Sequence, residues 1–206
     1  MIANRPIEAA DPRVAFFDQL APRWDAECSR PAETLRRLAE LNGSLSILPG
    51  HDLLEVGCGT GQLSGWLANT VAPGRVVAVD FSPGMLAEAR RRGLPVEFLL
   101  LDICTEPVPA SQFDRVLCFN AFPHFRDKPA ALRHLAASLK ACGRLIILHL
   151  AGSAELNSFH QKVDGPVSHD LLPSADAWPG LLEPHRLRQL SLVDRPGLFL
   201  LQATLA

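Results

Sequence analysis

Five short apolar runs, separated by helical segments and ending in glycine or polar side chains, constrain this chain more than any other feature. They occupy residues 53–56, 76–80, 96–102, 115–120 and 145–150, and the second, third and fourth end at Asp80, Asp102 and Asn120. Between them, Leu63, Trp66 and Leu67 fall at helical spacing. Ser82-Pro83 opens a second helix that Gly93 ends. Asp127 and Pro129 open a third, with Leu132, Leu135, Ala136 and Leu139 on its apolar face and Gly143 at its close. Strands apolar on both faces and alternating with helices predict a parallel sheet in three layers. Residues 187–193 and 198–205, joined only by Asp194-Arg195-Pro196-Gly197, predict a terminal hairpin, so one sheet edge should be antiparallel. The expected architecture is an open, doubly wound α/β sheet.

The 206 residues suit one domain, and 48% hydrophobic with 20% charged side chains excludes a disordered chain. A net charge of −2 argues against a nucleic-acid partner, and Arg90-Arg91-Arg92 reads as a solvated helix end. The amino terminus lacks the apolar stretch of a secretory signal, and the apolar runs are too short to span a bilayer. Five cysteines, at 28, 58, 104, 118 and 142, are odd in number and contain no C-x-x-C pair. A disulfide framework is therefore not expected, and a cytoplasmic location is. The first 45 residues read as helical. Phe16, Phe17, Leu20 and Trp24 form one stripe interrupted at Pro22, and a second helix runs through Leu35, Leu38 and Leu41 to Asn42-Gly43.

In open α/β sheets, ligands bind beyond the carboxyl ends of the strands. The first run feeds Glu55-Val56-Gly57-Cys58-Gly59-Thr60-Gly61-Gln62. Glycines there let the backbone turn sharply and approach a ligand. The dinucleotide fingerprint needs glycine where Gln62 stands, which opposes a nicotinamide-dependent oxidoreductase. Glu55 beside the loop is a poor host for a pyrophosphate and a good one for a cationic ligand. Asp80 offers two acceptor oxygens to the hydroxyls of a ribose. Asp102 can accept from an exocyclic amine, the Ile103 N–H can meet a ring nitrogen, and Phe81 and Met85 can cover the faces of a flat base.

With these residues in this order, the sequence resembles the class I S-adenosylmethionine-dependent methyltransferases. The resemblance rests on residues 54–61 and on Val77-Ala78-Val79-Asp80-Phe81-Ser82-Pro83-Gly84-Met85-Leu86, and more narrowly is to the quinone-biosynthesis branch. Phe113-Asp114-Arg115-Val116, the stretch 139–145 and the opening 17–25 extend it, with Ala141-Cys142-Gly143 departing from the family's usual Pro-Gly-Gly. It implies a Rossmann-like seven-stranded fold, with a helical cap over residues 1–45 and a cofactor-binding core over 46–206. It implies a cofactor site drawn from Glu55, Gly57, Cys58, Gly59, Gly61, Asp80, Phe81, Met85, Asp102, Ile103 and Asn120. Trp24 and Phe16 would either cover that site or simply pack the first helix.

Seven histidines remain. His124 follows the fourth run, His149 sits in the fifth, and His160 and His169 lie between it and the hairpin. With Asp164 and Asp170 they suggest either a general base, from His124, His149 or His160, or a metal site using His149, His160 and His169. The spacings of 11 and 9 match no ligand motif. The expected function is methyl transfer to a small-molecule acceptor. The alternative is a non-catalytic cofactor-binding or regulatory module on the same fold.

Overall fold

A computed structural model describes residues 11–27 and 30–206. The chain runs α1 (Pro12–Leu20), α2 (Trp24–Glu27), α3 (Pro31–Leu45), β1 (Leu53–Val56), α4 (Ser64–Val71), β2 (Val76–Asp80) and α5 (Pro83–Arg91). It continues through β3 (Glu97–Leu100), β4 (Phe113–Phe119), α6 (Lys128–Ser138), β5 (Leu139–His149), α7 (Ser153–His160), α8 (Trp178–Leu182), β6 (Leu187–Arg195) and β7 (Leu198–Leu205). The seven strands form one sheet in the order β3-β2-β1-β4-β5-β7-β6. Only the pairings of β7 with β5 and β6 are antiparallel, as the hairpin signal predicts.

Period-2 geometry explains how runs without polar alternation are partitioned. Leu54, Val77, Val116 and Ile147 face one layer with Leu132 and Leu135 of α6 and Trp178 of α8. Their neighbours Leu53, Val76, Leu117, Ile146 and Leu148 face the other, with Leu67 of α4 and Leu38 and Leu45 of α3. Each such fully buried leucine contributes about 1.5–3 kcal/mol. α3 thus packs into the same core as the sheet, whereas residues 11–27 lie across the carboxyl ends of the strands.

The helix starts follow their caps. Ser82 Oγ accepts the Met85 N–H at 3.1 Å, and Asp127 Oδ1 accepts that of Ala130 at 2.9 Å, each beside a first-turn proline. Two stops differ from the sequence reading. α3 continues through Asn42-Gly43 to Leu45 and ends on Ser46, left-handed at φ 52°. Burying Leu45 outweighs the helix penalty of one glycine, about 1 kcal/mol. α6 ends at Ser138, not Gly143, because β5 begins at once and carries Gly143 within it, close beside the Phe113 carbonyl of β4.

Candidate functional site

The turn after β1 is built from left-handed backbone. Gly57, Gly59 and Gly61 have φ of 73°, 55° and 74°. A Cβ on Gly57 would overlap the Cβ of Ala121, and one on Gly61 would crowd Ala89, so these two glycines seat the loop on the fold. A Cβ on Gly59 would meet nothing within 4 Å. Gly59 borders two neighbouring cavities, which share Trp24, Gly57, Gly59 and Asn120 along their linings.

The first cavity holds Asp80, Phe81, Met85, Asp102, Ile103, Phe17 and His124. Asp80 Oδ2 accepts the Gly59 N–H at 2.8 Å, and Oδ1 accepts that of Ser82 at 2.9 Å, which ties the end of β2 to the loop. Burial pushes the Asp80 carboxyl up to about 6 against those two bonds. Asp102 Oδ1 accepts the Cys104 N–H at 2.8 Å, while Oδ2 lies 2.6 Å from Arg126 Nη1. A base amine arriving at Asp102 would share Oδ2 with Arg126, a partner the sequence did not disclose.

The second cavity holds Glu55, Cys58, Arg30 and Thr34. Glu55 is buried and accepts the Ser64 hydroxyl at 2.6 Å, and burial raises it to about 8, so it carries a proton at neutral pH. Burial likewise raises the Cys58, Cys104 and Cys118 thiols, which are structural rather than reactive.

Residues 11–27 close over both cavities through polar contacts. Asp18 Oδ1 accepts from Ser82 Oγ at 2.5 Å and the Gly84 N–H at 2.8 Å. Asp25 accepts from Thr60 at 2.5 Å and Gln62 at 2.6 Å and pairs with Arg92. Asp11 meets Arg126 at 3.1 Å. Phe17 and Trp24, with ring centroids 6.0 Å apart, line the cavity wall, while Phe16 packs behind them.

The structure separates the histidines. His124, in the turn Phe122–His124 after β4, lines the first cavity, and its Nδ1 lies 2.9 Å from Asp170 Oδ2. His160 lies behind it, ring centroids 5.1 Å apart, with Nδ1 donating to the Asp170 carbonyl. His149 is buried, neither of its ring nitrogens has a hydrogen-bond partner among the described residues, and it borders neither cavity. Burial, then the nearness of His124 and His160, lowers it to about 3. His169 is exposed. No group of three or more His, Cys, Asp or Glu side chains among the described residues is arranged to hold a metal, so His149, His160 and His169 are not brought together as ligands. The sequence reading missed Arg13, whose guanidinium meets the Asp170 carboxylate at 2.9 and 2.6 Å. It also missed Arg30. Neither carries a local motif.

A glycine cradle beneath carboxyl-ended strands, in this strand order, defines a cofactor-binding α/β fold. Residues 53–143 match the family model described as a methyltransferase domain. The chain is 36% identical over 140 residues to demethylmenaquinone methyltransferase of Thermus thermophilus, covering 65% of this chain and 63% of that protein. It is 34% identical over 153 residues to malonyl-[acyl-carrier protein] O-methyltransferase of Serratia marcescens, covering 72% and 57%. The matched region thus spans less than two thirds of either relative's length. The DhpI–SAH complex superposes with a TM-score of 0.72 at 20% identity, over 95% of this chain and 96% of that one, which establishes the fold. Residues 53–143 thus resemble a methyltransferase domain, and the fold is that of solved S-adenosylmethionine-dependent methyltransferases.

Proposed function

We propose that this chain transfers a methyl group from S-adenosylmethionine to a small-molecule acceptor. The observation that carries this reading is Gly59, whose missing side chain leaves open space at the border of both cavities. The donor set around it suits the cofactor. Asp80 would hold the ribose hydroxyls, Asp102 and the Ile103 N–H would frame the base, and Phe81 and Met85 would cover its faces. On the other side, Arg30 would meet the carboxylate of an amino-acid tail, and Glu55 its ammonium, whose charge would draw the proton off the buried carboxyl. Such a tail is absent from a dinucleotide.

Bound S-adenosylmethionine supplies a methyl group on a sulfonium whose charge disappears on transfer. The chain's own task is to align the acceptor and keep water out. Phe17 and Trp24, held down by Asp18 and Asp25, are placed to exclude water. The two relatives are named for a quinone precursor and a carrier-borne malonyl group, which supports an acceptor of modest size. The free cysteines Cys58, Cys104, Cys118 and Cys142 suit a reducing, cytoplasmic setting. Among the described residues, no helix is long and apolar enough to cross a membrane.

Calorimetry tests the reading. S-adenosylmethionine or its demethylated product should bind and raise the melting temperature. Asp80→Ala should weaken that binding by about 1–3 kcal/mol, the cost of leaving hydroxyls unpaired. Binding of NAD in place of either compound would overturn the proposal.

A further inference from the structure

We propose that His124, oriented by Asp170, is the base that takes the proton of a neutral hydroxyl on the acceptor, so that the acceptor is a phenol or an enol methylated on oxygen. This rests on the methyl-transfer reading above and names the substrate class of the same site.

The geometry fixes the tautomer. Asp170 is buried, and burial alone would raise its carboxyl, but hydrogen bonds from His124 and from Arg13 outweigh that and hold it down at about 2. It is therefore an ionised, accept-only partner, and His124 must present its N–H on Nδ1. Nε2 is left to take a proton. That nitrogen has no hydrogen-bond partner among the described residues and is not one of the buried atoms left without one. Arg13, with Nε and Nη2 on the two Asp170 oxygens, keeps the carboxylate from accepting the proton in its turn.

The charged and titratable groups near the ring come from five parts of the chain. Arg13 lies on α1, Asp170 on the loop before α8, His160 on α7 and His149 at the end of β5, and Lys128 of α6 also feels Asp170. Burial lowers His124 against the pull of Asp170, with His160 and Arg13 adding to the lowering. The neutral imidazole needed of a base is thus the form present near neutral pH.

Acceptor acidity selects the class. A carboxyl, near pKa 4, is already ionised, and a thiol near 8.5 is partly so. A neutral amine attacks first and sheds its proton afterwards. A phenolic hydroxyl, near 10, gains most from a positioned base. The step balances. The acceptor O–H bond breaks and its proton goes to His124 Nε2. The oxygen lone pair forms the new C–O bond, and the electrons of the C–S bond return to sulfur. The imidazolium, paired with Asp170, then releases its proton to solvent.

The probes are 4-nitrophenol, ionised at pH 8, and 4-methylphenol, which is not. The wild-type chain with S-adenosylmethionine should form both methyl ethers. In His124→Ala, the ratio of the nitrophenol rate to the methylphenol rate should rise about 10²–10⁴-fold, while affinity for the demethylated cofactor stays within about twofold. Asp170→Asn should move the rising limb of the pH profile. Nitrogen-15 spectra of the wild type should show His124 protonated on Nδ1 with Nε2 bare, a readout that needs neither turnover nor a folded variant. An unchanged rate ratio, the opposite tautomer, or a cofactor-binding wild type that methylates neither phenol on oxygen would each overturn the inference. A wild type that binds no cofactor would instead overturn the methyl-transfer reading beneath it.

Discussion

On the glycine-loop side of the cleft, each polar group is set by the strand it follows. Glu55 belongs to β1, Asp80 ends β2 and Asp102 follows β3, and neighbouring backbone N–H groups hold Asp80 and Asp102 within a few residues or one strand. On the histidine side, Arg13, His124, His160 and Asp170 meet from four separate stretches, across sequence gaps of up to 157 residues. The first arrangement persists wherever the sheet forms. The second also requires residues 11–27 to be seated and the loop after α7 to be folded down. Recognition of a shared cofactor can therefore rest on local sequence, while the acceptor can change by redrawing long-range contacts around an unaltered sheet.

Glycine substitutions should break this comparison most forcefully, because two loop glycines on the same side do different work. Gly57→Ala sets a methyl against Ala121 in left-handed backbone and should cost roughly 2–5 kcal/mol of stability. Gly59→Ala adds only the backbone penalty, about 1–2 kcal/mol, yet puts its methyl at the border of both cavities and should abolish cofactor binding. Urea unfolding and calorimetry on both variants check this. Equal stability losses with equal binding would show that Gly59 does not face the ligand.

Glu55→Gln has the next largest effect. The native carboxyl sits at about 8, above its ordinary 4.5, because burial penalises its charge. The sign follows: between those values the unfolded chain is ionised and the native one is not, so wild-type stability falls as pH rises from 4.5 through 8. The variant should lack this fall, and the two should diverge by ~3 kcal/mol between pH 5 and pH 8. Parallel stability profiles would mean that Glu55 is already ionised in the native state. Binding of a cationic ligand, which would draw the proton off Glu55, should weaken in the same variant, since glutamine cannot ionise.

These contrasts also mark what the sequence made legible. The runs 53–56 and 76–80 and the terminal hairpin are local patterns, and the fold carries them at the expected places. Gly57, Gly59, Gly61, Asp80 and Asp102 were readable because a strand end fixes where the next residue points. The stops at Asn42-Gly43 and Gly143 misled because Leu45 is held by the core and β5 starts immediately after α6; tertiary packing outweighed a local signal. The segment 149–170 looked like a set of equivalent histidines, and no spacing could tell which would border a cavity. Arg13 and Arg126 could not be found at all, since a lone arginine in a helix or turn has no pattern until its carboxylate is known. The folded helices and loops supply Asp170 and Asp102, and with them the reason for each arginine.

His149 gives the smallest and most discriminating test of where the histidine side ends. It lies at the end of β5 with its ring centroid 6.1 Å from that of Phe199, buried, and both ring nitrogens lack partners among the described residues. A buried polar group left unpaired costs about 1–3 kcal/mol, so His149→Leu, of similar volume, should leave the chain as stable at pH 7 or about 1 kcal/mol more so. The pH dependence fixes the argument. Burial, followed by His124 and His160, lowers the native ring to about 3 from 6.5. Above 6.5 it is neutral in both states and contributes nothing. Below 6.5 the unfolded chain gains a proton that the native chain refuses, so wild-type stability drains away as the pH falls towards 3. The variant should lose less stability between pH 6.5 and pH 4, while the tautomer of His124 stays the same because Asp170 is untouched. If His149→Leu instead loses turnover in step with His124→Ala at unchanged stability, the acceptor reaches past His124 to β5, and the boundary drawn by the cavity lining is too shallow.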